Sequence, residues 1–131
     1  MTPAEVIASV RELIQDEDTP YRYDDTMLLG FVNQTIKRML MLRPDIFSQV
    51  NDIPITANIA IQTMPAGSYR MVDLFYIIGG GSLTEVDKTT LDRSRPDWVS
   101  DTGTPRNFMR HPRNANKFFV HPVPTENLTV K

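Results

Sequence analysis

Apolar side chains in the first third of the chain recur at helical spacing. Val6, Val10, Leu13 and Ile14 fall on one stripe, and Arg11, Glu12 and Gln15 are expected to face away from it. Thr2 is placed to cap this helix, Pro3 takes the first helical position, where a missing N–H costs nothing, and Glu5 completes a capping box. The helix is expected to stop near Asp16, because Asp16-Glu17-Asp18-Thr19-Pro20 is turn chemistry. A second, longer helix is predicted from Asp24 or Asp25 to about Arg43. It carries the apolar set Leu28, Phe31, Val32, Thr35, Ile36, Met39, Leu40 and Leu42, and Pro44 ends it. Asn33, Gln34, Lys37 and Arg38 take the wet face. Two such helices with a short polar connection predict an antiparallel hairpin over residues 1–46. Its stripes are too apolar for water, so Phe31 and Met39 are expected to be covered, by the rest of the chain or by a neighbouring molecule.

After Pro44 the period becomes alternating. Ile53, Ile55, Ile59 and Ile61 predict two short strands around Ala57-Asn58, read as a hairpin, with Pro54 pushing the first to a sheet edge. Pro65-Ala66-Gly67-Ser68 is a turn. Tyr69–Ile78 is apolar at most positions and is read as a central strand buried on both faces. A short strand over Leu83–Val86 and a short helix near 87–94, capped by Asp87, come next. Strands at Asn107–His111 and Lys117–Val123 flank a turn, and another begins at Asn127. The pattern predicts an α+β fold: a helical hairpin packed on an antiparallel sheet or small sandwich, with one short extra helix. Its 131 residues suit one domain, divided into 1–46 and 47–131.

Composition narrows the function. Hydrophobic residues make up 40% and charged residues 23%, which is ordinary globular material. A net charge of −2, from 14 basic and 16 acidic residues, lacks the basic excess of a dedicated nucleic-acid binder. The absence of cysteine removes disulfides, thiolate metal sites and cysteine nucleophiles, and fits a reducing interior. No signal peptide and no membrane span is legible, so the expectation is synthesis in the cytoplasm and no membrane partner.

Catalytic candidates are weak. Gly79-Gly80-Gly81-Ser82 follows an apolar run, where a phosphate loop would also sit. It lacks the spaced glycines and the lysine, so it reads as a flexible loop. His111 and His121 could be brought together by paired strands, but two imidazoles without cysteine or a carboxylate cluster make a poor metal set. The acidic run at Asp16–Asp25 lacks the alternation and central glycine of a calcium loop. No nucleophile–base or paired-carboxylate arrangement stands out. Catalytic, metal and cofactor residues are therefore expected to be none.

Several pieces, taken in order, resemble the adaptor family of the tailed-phage head-to-tail connector, of podophage type. They are Val10-Arg11-Glu12-Leu13-Ile14-Gln15-Asp16, Tyr23-Asp24-Asp25 with Leu42-Arg43-Pro44-Asp45, and Gln62-Thr63-Met64-Pro65-Ala66. Val86-Asp87-Lys88 with Arg95-Pro96-Asp97-Trp98 comes next, and then Lys117-Phe118-Phe119-Val120-His121-Pro122-Val123-Pro124. The resemblance implies a virion protein at the head–tail junction. It would form a ring of itself, with twelve copies, between the portal protein and the tail tube or nozzle, with non-specific contact to DNA in the channel. Family members tend to continue further at the C-terminus, whereas this sequence stops inside its last predicted strand. The alternative of another class is a small monomeric binding module or hydrolase using the Gly79–Ser82 loop.

Under the connector reading, two charged patches become candidates for contact with a neighbouring subunit or portal. One is acidic, at Asp16, Glu17, Asp18, Asp24 and Asp25. The other is basic, at Arg106, Arg110, Arg113 and Lys117, and Met41 is added as a pliable apolar contact off the helical stripe. The plain alternative for each patch is capping and solvation. Trp98 is expected to anchor its loop onto the sheet.

Overall fold

The computed structural model describes residues 1–131, as two compact units, Met1–Phe47 and Ser48–Lys131. The fold is α+β.

The first unit is helical. Helix α1 (Pro3–Ile14) starts from the capping box: the Glu5 N–H donates to the Thr2 hydroxyl at 3.3 Å, and the Thr2 N–H donates to the Glu5 carboxylate at 2.6 Å. It ends at Gln15, which takes a left-handed φ of 56° and donates its N–H back to Arg11 and Glu12. Helix α2 (Asp25–Leu42) is capped by the Asp24 carboxylate, which accepts from the Met27 N–H. A single 3-10 turn, Pro44–Phe47, follows it.

One expectation for this unit is corrected and another is narrowed. Arg11, assigned to the wet face, is buried, because the α1–α2 connection folds over it. Phe31 and Met39, expected to be covered by the rest of the chain or by a neighbouring molecule, are 56% and 40% exposed, so the rest of the chain does not cover them, and Leu28 is the buried apolar side chain of α2.

The second unit holds two sheets. Strand β1 (Ile53–Ile55) pairs antiparallel with β6 (Leu128–Val130). The other sheet has the order β2–β5–β4–β3, from β2 (Ile61–Thr63), β5 (Lys117–His121), β4 (Asn107–Arg110) and β3 (Thr84–Glu85). Its β3–β4 pair is parallel, so this sheet is mixed and not wholly antiparallel. Helix α3 (Lys88–Ser94) is capped by Asp87, as expected from the sequence.

The expected Ile53–Ile61 hairpin does not form, since its two strands join different sheets. The physical reason is Gln62. Its buried carboxamide donates to the carbonyls of Thr56 and Ile59 and accepts from the Thr56 N–H, taking up groups a hairpin ladder would have used. Nor is Tyr69–Ile78 a central strand. Met71, Leu74 and Ile77 point inward at every third residue, and only isolated bridges form, Tyr76 with Ser82 and Ile77 with Val130.

The element buried on both faces is instead the β4–β5 hairpin. Phe108, Phe118 and Val120 enter a core with Ile53, Ile55, Leu74, Ile77 and Val130. Met109 and Phe119, their strand neighbours, point the other way to Trp98. Each such apolar side chain contributes about 1.5–3 kcal/mol by burial. The hairpin is therefore a firm base for the turn at its tip.

Candidate functional site

The acidic connection between α1 and α2 is built around Arg11. Its guanidinium donates to Asp16 at 3.0 Å, to Asp25 at 2.6 Å and to the Tyr23 carbonyl at 2.9 Å, and it lies 3.7 Å from the centre of the Tyr21 ring. Asp16 also accepts from the backbone N–H groups of Arg22 and Tyr23. The Arg22 N–H is the main influence holding its carboxyl below the usual aspartate range, with the Tyr23 N–H and the Arg11 charge adding to it against partial burial. Arg11 is pushed the other way, above its ordinary value, chiefly by its bond to Asp25.

Three of the five acidic candidates are therefore engaged within the unit: Asp16 and Asp25 with Arg11, and Asp24 as a helix cap. Glu17 and Asp18 stand exposed between α1 and Pro20 and make no ion pair. Met41 is 69% exposed near the end of α2.

The basic candidates separate in the same way. Arg110 is a structural clamp: it donates to Glu85 at 2.6 Å and to the carbonyls of Met71 and Val72, fastening the 69–78 segment to β4. Arg106 is exposed, and its N–H pairs with the His121 carbonyl. Arg113 and Lys117 flank the β4–β5 turn, both exposed and both without an ion pair.

At this turn the surface forms a groove of about 340 Å³. Five basic side chains line it: Arg70, Arg110, His111, Arg113 and Lys117. Asn114 and His111 shape the turn. The Asn114 carboxamide accepts from the Asn116 N–H and its carbonyl from the Lys117 N–H, while His111 Nδ1 accepts from the Arg113 N–H at 3.2 Å. The His111 ring stacks on Phe119, with centroids 5.4 Å apart and planes at 10°.

Arg70 was absent from the basic set read from the sequence. It lay inside the supposed central strand, 36 positions before Arg106, and non-local contacts bring that segment to the turn: the Arg110 clamp and the Met64 N–H, which donates to the Asn116 carbonyl at 2.8 Å. An arginine beside the Pro65–Ser68 turn was the one local sign that it would be exposed.

The two histidines are not brought together. The register pairs Asn107 with His121 and Arg110 with Phe118, so His111 and His121 sit at opposite ends of the hairpin. His121 is buried, with Nε2 at 3.1 Å from Asp101 and Nδ1 without a partner. No group of three His, Cys, Asp or Glu side chains is gathered to hold a metal ion. Gly79–Ser82 forms a hydrogen-bonded turn, in which the Gly80 N–H meets the Ile77 carbonyl and Gly79 takes a φ of 78°. No helix is long and apolar enough to cross a membrane.

What this arrangement can do is bind: it offers a rigid cationic groove and a braced acidic loop. The family model described as SU10 adaptor protein matches residues 1–131. None of the curated proteins matches the chain.

Proposed function

The chain belongs to the SU10 adaptor protein family, a phage head–tail adaptor family, and from that membership we propose that it is a ring-forming connector subunit joining the portal to the tail. Twelve copies would encircle and line the DNA exit path, meeting portal protein on one side and tail tube or nozzle on the other. The chain is a phage adaptor, a virion component that associates with other head–tail proteins. A structural family also fits a role without catalysis.

The family match over the whole chain carries the reading. Surface chemistry supports it. Leu13, Phe31, Met41 and Leu42 are 86%, 56%, 69% and 81% exposed, apolar side chains that are open to contact with a neighbouring molecule. A ring also needs two unlike surfaces on each subunit, and the acidic loop and the cationic groove are such a pair. Exposed ion pairs contribute only about 0–1 kcal/mol each, so charge would orient the subunits while apolar contact supplies affinity.

Co-sedimentation with purified portal rings tests the proposal. The chain is expected to pellet with portal and to stay in solution without it or with a denatured control. A chain that is monomeric in solution and also ignores portal would overturn the reading.

A further inference from the structure

The acidic loop and the cationic groove differ from the other charged groups of the chain in being both prearranged and unspent. Around the loop, Arg11 holds Asp16, Asp25 and the Tyr23 carbonyl, and Asp16 holds the N–H groups of Arg22 and Tyr23. These bonds fix the chain on either side of Glu17 and Asp18, whose carboxylates have no cation of their own. The groove is fixed in turn. The Asn114 and His111 bonds set its turn, the stack on Phe119 sets the His111 ring, and Arg110 is immobilised by Glu85 and two carbonyls. That leaves Arg70, Arg113 and Lys117 as three cations without an ion pair around one groove.

We propose that the Glu17–Asp18 turn of one copy of this chain seats in the Arg70–Arg113–Lys117 groove of a neighbouring copy. The inference rests on the ring reading and names its contact. Two carboxylates meet three cations, with the Arg110 charge already balanced by Glu85, so the charges nearly cancel across the contact. The backbone of both partners is prearranged, so little loop entropy is lost on docking, and the rotamer freedom of the exposed arginine and lysine side chains is the main ordering cost. Nε2 of His111 is left free to donate to a carboxylate, since Nδ1 accepts from the Arg113 N–H. A loop meeting a groove is a heterologous contact, which propagates from copy to copy and closes when the rotation allows. A nucleic-acid backbone is the other anion such a groove could meet. The chain's net charge of −2 and its complementary loop favour the carboxylate.

The natural absence of cysteine makes the test direct. Two full-length versions are prepared, Thr19→Cys beside the acidic pair and Ala115→Cys in the groove lining, neither of which removes a charge. They are mixed, free and on portal rings, and treated with a short bis-maleimide. Cross-linked heterodimers of the Thr19→Cys and Ala115→Cys versions are expected, with a yield that falls as salt rises. Adding Arg113→Glu and Lys117→Glu to the groove partner should slow the reaction about tenfold. Adding Glu17→Lys and Asp18→Lys to the loop partner as well should restore much of it.

A rate no higher than that of a Thr125→Cys control paired with Thr19→Cys overturns the inference. If rings still assemble on portal in that case, the ring reading stands and only this contact falls. Cross-linking without any ring on portal would leave the contact standing and remove the ring. The inference is equally overturned if the groove reversal abolishes binding to a short DNA duplex while cross-linking is unchanged.

Discussion

Arg11 and Asp16 meet at 3.0 Å with side chains only 8% and 9% exposed, in a unit where Leu28 is the one large apolar side chain buried in α2. An ion pair thus occupies a place where an apolar contact would be usual. Such pairs are exacting, because removing one member leaves the other buried without its counter-charge. The planar fork of arginine serves three acceptors at once here, which an ammonium cannot copy.

Arg11→Met should therefore lower the melting temperature, with loss of helical signal, and Arg11→Lys should recover only part of it. Circular dichroism melts would check this. Equal melting temperatures for wild type and Arg11→Met would show that the α1–α2 connection is held by something else.

Acid stability follows from the same site. The Asp16 carboxyl is held below its ordinary value, first by the Arg22 N–H. A depressed folded-state value stabilises the fold at pH above the unfolded carboxylate value of about 3.9, and that contribution drains away as pH falls through the folded value. Asp45, lowered chiefly by its bond to Arg43, and Asp92, lowered chiefly by Lys88 and then by Trp98, act in the same direction. Stability should thus fall below about pH 4, and Asp16→Asn should flatten part of that decline, leaving the share of Asp45 and Asp92. Denaturant midpoints measured across pH 2–6 would show identical slopes if Asp16 were uninvolved.

Local signals are legible in the sequence. The Thr2–Glu5 capping box, the caps at Asp24 and Asp87 and the β4–β5 hairpin all rest on residues close in the chain, and all are present. What escaped was non-local. Pairing of β1 with β6 joins Ile53 to Val130, and nothing near Ile53 encodes that choice. The apolar run at Tyr69–Ile78 suggested a doubly buried strand, yet Phe75, Tyr76 and Ile78 are exposed and β4–β5 takes that place. Arg11 looked like a solvated helix position because its partners lie up to 14 residues away. Among the interface candidates, the sequence supplied the charges but not which were already spent.

Exposure separates two side chains of α2 that the sequence placed on one stripe. Leu28 is 6% exposed and Phe31 is 56% exposed. Leu28→Ala should cost about 2–5 kcal/mol, whereas Phe31→Ala should cost less than about 1 kcal/mol in the free chain. Phe31→Ala should instead weaken association with portal. Chemical denaturation of both variants distinguishes them, and a large loss for Phe31→Ala would place it in a core after all.

Trp98 fixes the α3 region to the hairpin. It is 2% exposed, meets Phe119 edge to face at 5.7 Å, and donates its Nε1–H to Asp92 at 2.7 Å. Trp98→Ala should cost about 3–5 kcal/mol. Trp98→Phe should cost less, since it keeps an aromatic ring in place while losing the hydrogen bond and part of the buried volume. Near-ultraviolet spectra and denaturant melts would check both, and a neutral Trp98→Ala would contradict the packing described.

The claim that matters most is assembly, and the mass of the portal complex tests it most directly. Native mass spectrometry of portal rings titrated with less chain than saturates them is expected to show empty portal and one dominant loaded species. Its added mass should be a whole multiple of the 14.9 kDa chain, with the multiple equal to a complete ring and few partial fillings. Cooperative filling is the mark of subunits that touch one another as well as portal. A statistical spread of occupancies, or no added mass at all, would contradict the ring.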